Sequence, residues 1–169
     1  MDAILVACAQ NSFLSKNGPV YMGDKAEILK VRLVDYLSSF SGTRIFLREK
    51  HTAGDSFFIC DKTHSITASD DFQVCEELRK YADYCSDSIR YNAFFETTLD
   101  LMLRQKKINR VWLVGVETHT SILFTAEELR NRGYDVVLVE PCTMARDDYL
   151  HGFAISLMFH HLAVKVTNG

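Results

Sequence analysis

Several side chains of this sequence could carry out nucleophilic or acid–base chemistry, and they lie in or just after apolar segments. Cys8 lies inside an apolar run near the N-terminus, and Ser121 follows another such run, with His119 two residues before it. A thiol or a hydroxyl can form a covalent intermediate when a neighbouring base activates it. Cys8 and Ser121 are therefore candidate nucleophiles, and His119 is a candidate base. The simpler alternatives are a buried strand cysteine and a serine that bonds the backbone near a helix start.

A second group of side chains could bind a metal ion. His51 follows Glu49 in the tripeptide EKH, and His64 is the only nearby candidate for a third ligand. A catalytic zinc site needs three protein ligands, so the proposal depends on all three side chains meeting. Loop histidines without a metal are the favoured interpretation. The sequence therefore predicts neither a metal nor another cofactor.

The composition excludes several classes of protein. The 169 residues carry a formal net charge of -3, and no Lys/Arg cluster stands out, which argues against a nucleic-acid partner. No apolar stretch approaches the roughly 20 residues that a membrane span needs, and the N-terminus lacks the basic start of a signal peptide. Five cysteines without a CxxC pair predict free thiols in the cytoplasm. They are Cys8, Cys60, Cys75, Cys85 and Cys142.

Periodicity divides the chain into alternating strands and helices. Short apolar runs predict strands over 3–9, 43–47, 85–89, 110–116, 135–139 and 163–166. Helical spacing of apolar residues predicts helices over 25–40, 72–81, 97–106, 119–132 and 147–161.

This alternation predicts the fold class. It is typical of an α/β protein, a Rossmann-like three-layer α/β/α domain with a mainly parallel six-stranded sheet. Residues 1–169 form a single domain in this interpretation, with strands 3–9 and 110–116 central and adjacent. Ligands of such sheets bind beyond the carboxyl ends of the strands, so chemistry is expected after Ala9, Leu47 and Val116.

Three stretches together resemble the isochorismatase-like cysteine hydrolases, which include nicotinamidases and N-carbamoyl amide hydrolases. They are AILVACAQNSFL, SIRYNAFFETTLDLMLR and VWLVGVETHTSILFTAEELRNRGYDV. These are similar to the family's Asp-x-Gln-Asn-Asp-Phe, Lys-x-Arg-Tyr-Ser-Ala-Phe and Gly-Val-x-Thr-His-x-Cys-Val patterns. Their order and spacing match across nearly the whole chain, which implies the family's fold.

The resemblance implies a catalytic triad, and this sequence departs from it at every position. Family members use an aspartate base, a lysine that lowers the thiol pKa and a cysteine nucleophile. The corresponding positions here are Cys8, Ser88 and Ser121. An unperturbed thiol is mostly neutral at pH 7 and a serine needs a base, so the family's chemistry is not expected at a useful rate.

The resemblance also implies a substrate pocket at the strand ends and self-association into a homo-oligomer. A small planar or anionic ligand suits such a pocket, because the start of a helix attracts carbonyl or carboxylate oxygens. The residues expected to line it are Gln10, Phe13, Tyr91, Phe94, Val116, Glu117, Thr118 and His119.

Three functions remain open at this point. The chain is a catalytically impaired hydrolase homologue that keeps a pocket, or an active hydrolase with a rearranged site that uses Cys8, or a structural or regulatory subunit of an oligomer.

Overall fold

Strands and helices alternate along the described chain, which comprises residues 1–57 and 62–169 of a computed structural model. The strands are β1 (Asp2–Ala7), β2 (Thr43–Glu49), β3 (Tyr84–Ser88), β4 (Arg110–Val116), β5 (Asp135–Met144) and β6 (Lys165–Thr167). The helices are α1 (Asn11–Leu14), α2 (Lys25–Ser39), α3 (Glu76–Arg79), α4 (Leu99–Gln105), α5 (Leu123–Asn131) and α6 (Asp148–His161). A π-helical turn, Thr118–Ile122, directly precedes α5.

The six strands form one sheet in the order β3-β2-β1-β4-β5-β6. Every neighbouring pair in this sheet is parallel. The predicted α/β fold is therefore confirmed, and β1 and β4 are central and adjacent as their continuous apolar sequences indicate. In this strand order, the carboxyl ends of β1, β2 and β4 lie side by side along the carboxyl-terminal edge of the sheet, which runs across the strand ends.

Helices cover both faces of the sheet, which explains why β1 is apolar at successive positions. Leu5 contributes to a core cluster that also contains side chains of α4, α5 and α6, whereas Ile4 contributes to a second cluster with α2 and α3. Successive side chains of a strand point to opposite faces, so a strand in the middle of three layers buries all of them. Each fully buried Leu or Ile in these clusters contributes about 1.5–3 kcal/mol from the hydrophobic effect.

β1 and β4 approach each other most closely where β1 ends. Gly115 has a φ of +106°, and a Cβ added to it would overlap the carbonyl oxygen of Ala7. The next residue, Cys8, has a φ of 47°, in the left-handed region that side-chain-bearing residues seldom adopt. The missing side chain of Gly115 therefore allows β4 to lie against the point at which the chain turns away after β1.

β5 is longer than the apolar run predicts, because it resumes pairing after an interruption. Its register with β4 shifts between Leu113, which pairs with Leu138, and Gly115, which pairs with Thr143. Pro141 lies in the interrupted stretch and has no backbone N–H to donate to a ladder. The resumed segment carries β5 to the same edge of the sheet at which β1, β2 and β4 end.

The helix predicted over 72–81 is confined to α3, four residues long. The residues before it form a turn and an isolated bridge instead: Val74 pairs antiparallel with Gln10, and the carbonyl of Phe72 accepts a hydrogen bond from the Gln10 amide. Backbone groups that would form the hydrogen bonds of a longer helix are therefore bonded to other parts of the chain.

Four of the five cysteines are free thiols, as predicted. Cys60 lies outside the described residues. Within 1–57 and 62–169, none of the helices combines the length and the apolar character required to cross a bilayer.

Gly115→Ala should destabilise the protein by about 3 kcal/mol or more, because the new methyl group meets the backbone of Ala7 and the backbone conformation disfavours a side chain. Gly133→Ala is the matched control. Gly133 also has a positive φ, of +85°, but a Cβ there meets nothing within 4 Å. Its cost should be about 1 kcal/mol. Urea denaturation measures both values, and equal losses would show that the close approach of β4 to β1 is not what requires glycine.

Candidate active site

Cys8 lies at the carboxyl end of β1 with its thiol directed at Ser121. The Cys8 Sγ–Ser121 Oγ distance is 3.5 Å, and the thiol donates to the hydroxyl oxygen. Burial raises the pKa of Cys8 well above its ordinary value, and the nearby carboxylate of Glu49 raises it further. The thiol is therefore neutral at physiological pH, which does not suit a nucleophile.

Ser121 belongs to the π-helical turn that follows β4, and its hydroxyl donates to a carboxylate. The Ser121 Oγ–Glu49 Oε1 distance is 3.0 Å, and both side chains are buried. A hydroxyl has one proton to donate and lone pairs to accept. Ser121 therefore accepts from Cys8 and donates to Glu49, so that the three side chains form one directed chain of hydrogen bonds.

Glu49 ends β2, and its second oxygen faces two histidines. Glu49 Oε2 lies 3.1 Å from His64 Nε2 and 3.6 Å from His51 Nε2. Burial alone would raise the pKa of Glu49, but hydrogen bonds and charges from the two imidazoles outweigh it and lower that pKa to about 2. Glu49 is therefore an ionised carboxylate, with a proton affinity too low for an efficient general base at neutral pH.

In each imidazole, the nitrogen that faces away from Glu49 has its own hydrogen-bond partner. His51 Nδ1 lies 3.2 Å from Asp55 Oδ2, and His64 Nδ1 lies 2.6 Å from the carbonyl oxygen of Lys62. A backbone carbonyl only accepts, so Nδ1 of His64 carries the proton. His64 Nε2 and Glu49 Oε2 then attract each other only through a positive charge, either a proton on that nitrogen or a metal cation.

These three residues fit a divalent metal ion. The ligand atoms of Glu49, His51 and His64 all lie within 4.8 Å of one another, and the three side chains are buried. Two imidazole nitrogens and a carboxylate oxygen suit zinc, and an imidazole whose other nitrogen bonds a carboxylate is the usual arrangement around such ions. The sequence favours loop histidines without a metal, whereas the fold brings all three candidate ligands together.

A pocket of about 220 Å³ opens beside this cluster. Its walls are partly aromatic: the rings of Phe57 and Tyr91 pack edge to face with centroids 4.6 Å apart. At its rim Arg146 Nη2 lies 2.7 Å from Glu117 Oε1. The lining comprises Phe13, Glu49, Phe57, His64, Tyr91, Glu117, His119, Thr120 and Arg146.

Four of the residues expected in the pocket line it: Phe13, Tyr91, Glu117 and His119. His119 does not contact Ser121 as a base would. Its Nδ1 lies 3.5 Å from Glu117 Oε2 instead. Its imidazole therefore belongs to the charged rim of the pocket, together with Glu117 and Arg146.

The structure places the other four expected pocket residues outside the lining. Val116 and Phe94 are buried in the core, and Thr118 bonds His151 at 2.8 Å. Gln10 is fully buried, and its amide bonds only backbone: it donates to the carbonyls of Glu49 and Phe72 and accepts from the N–H of Glu49. Gln10 therefore fixes the end of β2, and with it the backbone of Glu49, and its amide lies outside the pocket lining.

Ser88 is separated from Cys8 and Ser121. It ends β3, which is two strands from β1 in the sheet. Its hydroxyl donates to the carbonyl oxygen of Arg90 at 2.9 Å. The structure therefore brings two of the three triad-equivalent residues into contact, and the third bonds the backbone of its own loop.

Five pocket residues are absent from the set expected to line it. The sequence indicates Glu49 and His64 only as candidate metal ligands, and it does not single out Phe57, Thr120 and Arg146 at all. Arg146 follows β5 at the carboxyl edge of the sheet. The rule that ligands bind at the carboxyl ends of parallel strands would have found it. The apolar run, however, indicates an end of β5 at residue 139, five residues before the observed end at Met144.

Comparison with known proteins gives one consistent result for the whole chain. The family model of the isochorismatase domain matches residues 2–168. The isochorismatase family protein PncA of Bacillus subtilis is 24% identical over 170 aligned residues, which cover 92% of this chain and 93% of that protein.

Solved structures share the fold. The pyrazinamidase/nicotinamidase of Streptococcus mutans has a TM-score of 0.90 at 21% identity and covers 99% of this chain and 100% of its own. The pyrazinamidase of Pyrococcus horikoshii, solved in complex with zinc, has a TM-score of 0.88 at 18% identity and covers 99% of both chains. At these identities the likeness establishes the fold alone.

Gln10→Leu should destabilise the protein by about 3 kcal/mol, because it leaves buried backbone groups of Glu49 and Phe72 without partners at about 1–3 kcal/mol each. Chemical denaturation measures the loss. Asn11→Ala is the control, since it removes an exposed bond to the carbonyl of Asp70 and a part-buried one from the Ser15 hydroxyl, and it should cost about 1 kcal/mol. Equal, small losses in both variants would contradict the scaffold role of Gln10.

Proposed function

This chain belongs to the isochorismatase family, and on that premise we propose that it binds a small planar ligand in the family's pocket without the family's thiolate chemistry. One observation carries the proposal. The residues at the base and nucleophile positions, Cys8 and Ser121, are linked in a chain of hydrogen bonds that ends on the ionised carboxylate of Glu49.

The charges of this chain oppose nucleophilic catalysis. Ser121 would need a base, but Glu49 has a pKa of about 2 and binds a proton too weakly to serve as one. Cys8 would need a nearby cation to become a thiolate, but burial and the carboxylate of Glu49 raise its pKa. The same raised pKa argues against an active hydrolase that uses Cys8 as a relocated nucleophile.

The pocket limits the size and the charge of the ligand. Its volume of about 220 Å³ lies below the ~300–1,000 Å³ usual for drug-sized ligands, which favours a single ring. The rings of Phe13, Phe57 and Tyr91 suit stacking on a planar molecule. Two carboxylates line the pocket and Arg146 pairs with one of them, so a neutral molecule with N–H donors suits it better than an anion.

A divalent cation held by Glu49, His51 and His64 would supply positive charge at the floor of this pocket and offset the charge of Glu49. The residues of this chain would still orient the ligand: the aromatic rings by stacking, and the Glu117–Arg146 pair at the rim by hydrogen bonding. Several structures with this fold are called nicotinamidases or pyrazinamidases. We infer that the ligand of this chain is a single-ring amide, as small as nicotinamide.

Self-association is the second candidate function, and one surface favours it. The helix α6 exposes Tyr149, Phe153 and Phe159, each by more than half of its surface. Exposed aromatic side chains on one helix are typical of protein interfaces. We propose a homo-oligomer, located in the cytoplasm in accordance with the free thiols. A mass matching the monomer in size-exclusion chromatography with light scattering would contradict the oligomer.

The purified protein should show no measurable turnover of nicotinamide, isochorismate or an N-carbamoyl amide, and Ser121→Cys alone should not change this. Glu49 Oε1 accepts the proton of Ser121, so a thiol at that position would face a carboxylate that raises its pKa. The informative variant therefore combines Cys8→Asp, Ser88→Lys and Ser121→Cys with Glu49→Asp, which withdraws the carboxylate by one methylene.

Chromatographic detection of the released product measures the hydrolase activity of the parent and of the fourfold variant. Activity in the fourfold variant, together with an inactive parent, would show an intact hydrolase pocket without its triad. Turnover by the parent would contradict the proposal, and loss of that turnover in Cys8→Ala would then identify Cys8 as a nucleophile.

Nicotinamide should bind to the parent protein and bind about 2–10-fold more weakly to Tyr91→Ala, because an aromatic contact contributes about 0.5–1.5 kcal/mol beyond its buried area. Ligand-observed NMR titration measures both affinities. Phe95→Ala is the matched control, since Phe95 is 46% exposed and lies outside the pocket lining. Equal affinities for parent and Tyr91→Ala would exclude this pocket as the binding site.

A further inference from the structure

The carboxylate of Glu49 is divided between two sets of partners. Its Oε1 accepts the hydroxyl proton of Ser121 at 3.0 Å, whereas its Oε2 faces the imidazoles of His64 and His51 at 3.1 and 3.6 Å. Ser121 thus stands in direct contact with one member of the candidate metal cluster, although it provides no ligand atom itself.

We propose that Ser121 is a positioning residue for this cluster: its hydroxyl holds Glu49 so that Oε2 points at His51 and His64 and completes a site for a divalent cation. The residue at the family's nucleophile position thereby serves cation binding, as an outer-shell hydrogen-bond donor. This role is independent of whether the pocket binds a planar ligand.

The direction of the Ser121 proton follows from its two neighbours. Cys8 donates its thiol proton to Ser121 Oγ, and the carboxylate of Glu49 is an acceptor only. The proton of Ser121 therefore points at Oε1. Ser121 and Glu49 are 5% and 4% exposed, so little water competes for this bond.

The bond matters because a glutamate carboxylate is otherwise loosely oriented. Rotation about its terminal torsion is broad and nearly two-fold, and the torsion has no sharply preferred angle. A hydrogen bond to a charged oxygen is stronger than one between neutral groups, and here it fixes one oxygen. The second oxygen is then fixed in its turn. Outer-shell groups that orient a ligand in this way typically change metal affinity 10–100-fold.

The imidazoles are oriented by equivalent contacts, which makes the cluster complete. Asp55 holds Nδ1 of His51, and the carbonyl of Lys62 holds Nδ1 of His64. Each of the three ligand side chains therefore has an outer partner, and Ser121 is the partner of Glu49. The register of β2 adds to this, because Gln10 fixes the backbone of Glu49 on both its N–H and its carbonyl.

The test is the affinity of the metal-free protein for Zn²⁺, measured by calorimetry or by competition with a chromophoric chelator. The parent should bind one Zn²⁺, and His51→Ala should abolish that binding. Ser121→Ala should weaken it 10–100-fold. Ser88→Ala is the matched control, because Ser88 is also a buried serine at a strand end but donates to a backbone carbonyl. Its affinity should equal that of the parent.

A second pair of variants keeps the test valid if Ser121→Ala does not fold. Ser121→Thr and Ser121→Val have the same shape and differ in the hydroxyl, so Thr should bind Zn²⁺ 10–100-fold more tightly than Val. Circular dichroism verifies that the variants are folded.

Three results would overturn the proposal. They are a parent that binds no Zn²⁺, an affinity that His51→Ala leaves intact, and a Ser121→Ala or Ser121→Val affinity equal to or tighter than that of its hydroxyl-bearing partner. An equal affinity would mean that the hydroxyl does not orient Glu49, and a tighter one that it competes with the cation for Glu49. None of these measurements depends on the planar ligand, so the two proposals fail independently.

Discussion

The ionised carboxylate of Glu49 is the group on which the arrangement of the candidate site depends. A buried charge is costly unless it is paired and hydrogen-bonded, and Glu49 is almost completely buried. Its oxygens are satisfied by Ser121 on one side and by two imidazoles on the other. The fold therefore has to bring the hydrogen-bond partners of Glu49 to its carboxylate, and these partners come from distant parts of the chain.

The scaffold places them through a few backbone contacts at one edge of the sheet. Gly115 lets β4 lie against the end of β1, where the chain turns away at Cys8, and the turn after β4 carries Ser121. Gln10 joins the loop after β1 to the end of β2, so that Glu49 keeps its position relative to both strands. Three neighbouring parallel strands thus deliver the thiol, the hydroxyl and the carboxylate to one point.

Cys8 and Ser121, the residues expected at two of the triad positions, are consistent with each other and with this carboxylate. A thiolate at position 121 would be repelled by Glu49, and an aspartate at position 8 would add a further negative charge next to it. A neutral thiol and a neutral hydroxyl instead extend the hydrogen bonding of Glu49. The pocket keeps its aromatic walls and a charged rim, and its floor is formed by a glutamate and a histidine of the cluster. In the described residues, the hydrogen bonds of this site therefore converge on the carboxylate of Glu49 and its histidines.

The sequence alone predicted the fold, and the physical reason is local. The continuous apolar runs of β1 and β4 are typical of strands buried on both faces, and their alternation with amphipathic helices implies a parallel sheet. The motifs around Cys8 and Ser121 likewise identified the family. The pattern was less informative where tertiary contacts use the backbone, as in the short α3, and where Pro141 interrupts β5.

Only the tertiary structure decided what the polar residues do. Periodicity shows that Gln10 lies after a strand, but not that its amide is used by the backbone of β2. The sequence shows that Glu49, His51 and His64 are near one another along the chain. It does not show that their ligand atoms lie within 4.8 Å of one another. The hydrogen bond between Ser121 and Glu49 joins residues 72 positions apart. Such a contact depends on the register of three strands, and no local pattern of residues contains it.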